Sequence, residues 1–104
     1  MKRVIDTSEV LGTVEHPEGI CEVCAAADAN YDEKTNRLVV RLTSFLRTTD
    51  LRSKQNHFTT GWLPRSETET EAMGPDDAIA AAREIFHRWV AKVRQTAPQH
   101  NSVH

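Results

Sequence analysis

The sequence is poor in the residues that most often announce a mechanism. Cysteine occurs only twice, at Cys21 and Cys24, too few and too close together to staple a secreted scaffold, so a reduced compartment is expected. Glycine occurs four times, at the scattered positions Gly12, Gly19, Gly61 and Gly74, which excludes a glycine-rich phosphate cradle. No window approaches the roughly 20 apolar residues that cross a bilayer. Met1–Asp6 holds two basic residues but meets Asp6 and Glu9 before any apolar run of signal-peptide length. A cytoplasmic location away from membranes is the expectation. Strong net charge is lacking as well: a formal charge of −2 and a pI near 6.2 argue against a surface that attracts nucleic acid or anionic lipid everywhere. Any such binding would have to be local.

The chemistry-bearing patterns are absent too. Five histidines and several Asp, Ser and Thr are present, yet none falls in a nucleophile elbow, an HExxH helix or a paired-carboxylate arrangement. Asp50, Ser53 and His57 are near in sequence only, and catalysis is judged by geometry. The expectation is a protein without enzymatic activity or cofactor.

What is present fits one small domain. A chain of 104 residues supports a single core, expected over residues 1–97 with 98–104 as a flexible tail beyond Pro98. Charge comes in blocks: Met1 to Asn36 is acidic, Arg37 to Lys54 basic, Ser66 to Asp77 acidic, and Ala78 to Arg94 basic. The turn-forming run Asp32-Glu33-Lys34-Thr35-Asn36 separates two strand-like segments and predicts an antiparallel hairpin. A period of two places Cys21, Val23, Ala25, Ala27, Ala29 and Tyr31 on one face before the turn, with Leu38, Val40, Leu42 and Leu46 after it. These sets are the expected core. A further strand is predicted from His57 to Leu63, ended by Pro64, and an edge strand from Val10 to Val14. The alternating polar run Ser66-Glu67-Thr68-Glu69-Thr70-Glu71 offers no apolar face and reads as a loop. The Ala-rich stretch Glu22 to Ala29 admits a short helix as a competing local reading.

The helix signals are strong. Gly74 as N-cap, Pro75 at the first helical position, and Asp76 and Asp77 at the positive end of the helix dipole start a helix. Ile79, Ala82, Phe86, Trp89, Val90 and Val93 then recur at three- and four-residue spacing. The expected fold is α+β: an antiparallel sheet of three or four strands followed by one C-terminal helix packed on one face. Phe86 and Trp89 would lie over the small side chains of Ala25, Ala27 and Ala29.

Three sets of residues are candidates for function. Ile20, Cys24, Val39 and Phe45 make the outward sheet face more apolar than one left in water usually is. Either the N-terminal segment with Val10, Leu11 and Val14 covers it, or another protein does. A protein-interaction or adaptor role acting through this open face or an edge is the leading reading, with Val39, Phe45 and Arg41 as contact residues. A second copy of the chain is the simplest partner. The alternative is a nucleic-acid-binding module in which Arg37, Arg41 and Arg47 meet phosphates and Phe45 stacks on a base, extended by Arg52, Lys54 and His57. The bland version of that patch has Arg37 and Arg41 paired with Glu22 and Asp28 across the hairpin. The third candidate is a metal or thiol site at Cys21 and Cys24. Zinc would need further ligands such as His16, His57 or His87, and in a strand the two cysteines point to opposite faces.

Overall fold

The structure is a computed structural model that describes residues 1–16, 19–50, 55–60 and 63–96. In chain order the elements are β1 (Lys2–His16), β2 (Gly19–Asp32), β3 (Arg37–Asp50), β4 (Gln55–Thr60), β5 (Ser66–Glu71) and α1 (Pro75–Thr96). All strand pairs are antiparallel, in the order β1-β2-β3-β4. The fifth strand also pairs with β3, opposite Arg37–Leu42, while β4 lies opposite Phe45–Asp50. The two short strands thus run end to end along one side of β3, and the sheet is four strands wide. The helix packs on one face of this sheet, touching β1, β2 and β3. The protein is α+β, as expected.

The β2–β3 hairpin forms where the sequence places it. The Asp32 carboxylate accepts from the Lys34 N–H at 2.9 Å, an Asx turn that competes with continued extension. Asn36 closes the turn at φ 57°, a left-handed conformation that Asn tolerates better than most residues. Glu22–Ala29 is strand within β2, not helix: pairing on both sides outweighs the helix propensity of its alanines.

Two expectations are corrected. The edge strand expected at Val10–Val14 is a 15-residue strand, Lys2–His16. Register shifts between Arg3 and Ile5 and between Val10 and Gly12 insert one extra residue each, Val4 and Leu11. Each insertion shifts the inward and outward positions by one, so Val4, Ile5, Val10, Leu11 and Val14 do not alternate in sequence although the strand is continuous. This segment lies beside β2 and does not cross the sheet. The run Ser66–Glu71 is likewise a strand, not a loop. Its alternation sorts carboxylates from hydroxyls instead of polar from apolar. Glu67, Glu69 and Glu71 oppose Arg41, Val39 and Arg37, while Ser66, Thr68 and Thr70 oppose Leu42, Val40 and Leu38 on the helix side.

The core lies between sheet and helix. Cys21, Val23, Ala25, Ala27, Ala29, Tyr31, Leu38, Val40 and Leu42 are buried with Ala78, Ala82, Phe86, Trp89, Val90 and Val93 in one cluster that also takes in Ile5 and Val14. Leu46 packs at its margin, and the helix buries Ala78 fully where the sequence pattern favours Ile79. Thr43 and Ser44 of β3 fall in the gap between β5 and β4. There the Trp89 indole N–H donates to the Thr43 carbonyl at 2.8 Å, tying the helix to the sheet backbone at this gap. The Ser44 hydroxyl, also on the helix face, is buried with no hydrogen-bond partner among the described residues.

One polar hub fixes the helix start. The Tyr31 hydroxyl lies 2.8 Å from the Ala72 carbonyl and 2.9 Å from Asn36 Oδ1, and accepts from the Gly74 N–H at 2.9 Å. It therefore joins the hairpin turn, the end of β5 and the helix N-cap. Gly74 takes φ 102°, which its missing Cβ permits, and Asp77 reaches back past this N-cap to accept from the Met73 N–H at 2.8 Å. The strand expected over His57–Leu63 is described only as Gln55–Thr60. Trp62 and the tail from 98 to 104 lie outside the described residues.

Candidate functional site

The face of the sheet away from the helix holds most of the candidate residues, and the strand registers order them into rows. Across β1, β2 and β3, one row reads Val10, Cys24, Phe45, and the next Ser8, Ala26, Thr43. These rows form a small or apolar centre. On one side lies Thr13, Glu22, Arg47. On the other lies Asp6, Asp28, Arg41, continued by Glu67 of β5. Further rows read Arg3, Asn30, Val39, Glu69 and Asp32, Arg37, Glu71. Charge is thereby divided by strand: on this face β2 contributes Glu22, Asp28 and Asp32, and β3 contributes Arg37, Arg41 and Arg47.

Every arginine of the β3 stripe has a carboxylate beside it. Arg47 reaches Glu22 Oε1 with Nε at 2.8 Å and Nη2 at 2.5 Å. Arg37 pairs with Glu69, and Arg41 lies 3.5 Å from Glu67. The hydrogen bonds that Arg37 and Arg47 donate to Glu69 and Glu22 hold both guanidiniums above their already high pKa values, so both stay charged. Of the pairings expected across the hairpin, Arg41 sits opposite Asp28 in the register, and Glu22 is engaged by Arg47 instead of Arg37 or Arg41. The glutamates of β5 carried no sequence signal as partners, because they become neighbours only once β5 is a strand.

Exposure separates the apolar candidates. Ile20 is 66% exposed and Val10 46%, Phe45 is half-buried, and Cys24 and Val39 are buried at 2% and 7% although no second layer covers them among the described residues. Burial, reinforced by the nearby Glu22 charge and opposed by Arg47, raises the Cys24 thiol above its ordinary pKa. Burial therefore favours the neutral thiol. Val10 is the open-face residue that sequence reasoning assigned elsewhere. Its place opposite Cys24 follows from the bulge at Leu11.

Cys21 lies on the helix face and Cys24 on the open face, so the strand directs their side chains apart. Among the described residues no group of three or more His, Cys, Asp or Glu is placed to hold a metal ion. The side chains of His16 and His57, and residues Arg52 and Lys54, lie outside the description, and His87 is exposed on the helix. Comparison with known proteins adds no assignment. No family model, curated protein or solved structure matches the chain. Among the described residues no helix is long and apolar enough to cross a membrane.

On the other side of the sheet a shallow groove of ≈ 240 Å³ runs between α1 and β5, with Leu42, Thr68, Ile85 and Trp89 beneath Arg88 and Lys92. Arg88 is engaged by Glu84 at 2.6 Å, and the Lys92 ammonium stands 5.9 Å from the centroid of the Trp89 ring. The groove arises because β5 turns hydroxyls, not large apolar side chains, toward the helix.

Proposed function

We propose that this protein is a non-enzymatic protein-interaction domain that binds through the open face of its sheet. The observation that carries this reading is the apolar row Val10, Cys24, Phe45, in which Val10 is 46% exposed, with Ile20, 66% exposed, beyond the Glu22 row on the same face. Apolar surface that is left in water while rimmed by paired charges is the surface that association removes from solvent. Phe45 supplies an aromatic anchor near the centre, and Arg41 and Arg47 give directional contacts at the margin. Val39 acts as support beneath the contact surface, since it is already buried.

The nucleic-acid alternative, with phosphates on Arg37, Arg41 and Arg47 and a base on Phe45, has weaker support. Each of those arginines has a carboxylate beside it, and Asp28 and Glu71 sit in the same rows. A phosphate would have to displace carboxylates already in place. Single-strand binding that weakens steeply with salt and falls in Arg41→Ala would restore that alternative; no binding at low salt would end it.

The test of the open-face reading is Phe45→Glu. A carboxylate at this half-buried position of the face opposite the helix is expected to leave the thermal melt within a few degrees of wild type, while abolishing association seen by sedimentation velocity. If the folded variant associates as wild type does, with itself or with a captured partner, the face is not the interface.

A further inference from the structure

Resting on that reading, we infer that the partner is a second copy of this chain, docked face to face about a two-fold axis that runs parallel to the strands between β2 and β3. The division of charge by strand carries the inference. In three separate rows an acid of β2 stands directly beside an arginine of β3: Glu22 beside Arg47, Asp28 beside Arg41, and Asp32 beside Arg37. A two-fold axis along the strands keeps each row in place and exchanges the two columns. It therefore sets β2 of one copy over β3 of the other. Each of these three β2 acids then faces an arginine and Cys24 faces Phe45 across the apolar row, while at the margin Arg3 comes over Glu69 and Asp6 over Glu67. An axis across the strands would lay Arg47 over Arg41 and Glu22 over Asp28, placing like charges together. The sequence order of charges thus selects one isologous arrangement over the other.

The arrangement suits the sheet. Two twisted sheets packed face to face align within about 30° of each other and about 10 Å apart, a spacing that the small centre of Cys24, Ala26 and Thr43 permits. The outer rows carry the charges, where opposite signs fix register and exclude slipped pairings more than they add affinity. Glu67 and Glu69 remain beside their own arginines at the margin.

The decisive experiment uses two charge reversals that are disruptive alone and complementary together. In its own dimer, Arg41→Asp sets the introduced carboxylate against Asp28 at both symmetry-related contacts. Asp28→Arg does the converse, setting the introduced guanidinium against Arg41 at both. Mixed, the two variants restore both opposite-sign contacts. Wild type is expected to give a dimer mass by native mass spectrometry and sedimentation, and each variant a dimer at least tenfold weaker. The mixture is expected to give a heterodimer, resolved by isotope-labelling one partner. Unchanged melts in both variants confirm that the folds are intact. A dimer in wild type that survives both reversals, or a mixture that stays monomeric, overturns this geometry while leaving open-face binding in place. A wild-type monomer at high concentration overturns the second-copy partner, again without touching the open-face reading, which fails only if Phe45→Glu has no effect on association.

Discussion

Alternate residues of the same two strands build two faces that solve opposite problems. The helix-side face of β2 and β3 is a run of Cys, Val, Ala, Tyr and Leu side chains, small on β2 and larger on β3, and Phe86 and Trp89 of the helix share its cluster. The open face carries Glu22, Asp28, Asp32, Arg37, Arg41 and Arg47 around a short apolar centre. The first is made dry by a second layer. On the second, Cys24 and Val39 are buried although no layer lies above them among the described residues. Burial alone therefore does not mark the core; what packs over a residue does.

The sharpest way to break this contrast is at Trp89. Its ring fills the space between helix and sheet, and its N–H satisfies the Thr43 carbonyl in the gap between β4 and β5. Trp89→Ala should cost about 3–5 kcal/mol, a large share of the stability of a domain this size. Trp89→Phe keeps most of the ring and leaves the carbonyl without its donor, for a loss of about 1–3 kcal/mol. Urea denaturation measures both. Equal losses would mean that the ring contributes nothing beyond the hydrogen bond, and a wild-type midpoint for Trp89→Ala would remove Trp89 from the core.

A smaller effect is expected at Tyr31, where the helix-side face ends in a polar hub. Tyr31→Phe preserves the ring but deletes the hydroxyl shared by Ala72, Asn36 and Gly74. Leaving the Ala72 carbonyl and the Gly74 N–H short of a partner should cost about 1–3 kcal/mol. Because the hub joins three segments, hydrogen exchange at Gly74 and Ala78 should accelerate more than exchange at Val40, which lies mid-strand. Uniform acceleration would show that the hydroxyl stabilises the domain as a whole and does not specifically anchor the helix start.

The helix-side face was readable because each of its signals is local. The turn at Asp32–Asn36 sets the register of β2 on β3, a period of two then sorts their side chains, and the caps at Gly74 and Asp77 start the helix. The rest depends on pairings between distant segments. Two bulges in β1 break the alternation by which a strand is recognised, so only its last apolar stretch was visible. The fifth strand has no apolar face at all. What makes it a strand is backbone pairing along β3, which also brings Glu67 and Glu69 beside Arg41 and Arg37 from some 30 residues earlier. For the same reason the open-face arginines were legible as a set but their partners were not. The basic block read from β3 is largely neutralised by an acidic segment that, taken alone, offered nothing to bury.

The smallest effect tests whether the centre of the open face is truly dry. Burial raises the Cys24 thiol above its ordinary value of 9.0, with Glu22 adding to the shift and Arg47 opposing it. Below about pH 9 the folded and unfolded chains both hold this proton, and Cys24 adds no pH dependence. As the pH rises further the unfolded chain releases the proton first. The unfolded state then binds fewer protons than the folded one, and stability falls until the folded thiol also ionises. Urea midpoints of dilute protein at about pH 8 and about pH 10 should therefore drop further for wild type than for Cys24→Ala, which lacks the group. The same burial should make Cys24 slow to alkylate at pH 8 unless the protein is unfolded. Parallel midpoints in the two proteins, together with rapid alkylation of the folded chain, would show that water reaches Cys24. The open face would then have no dry centre for a partner to extend.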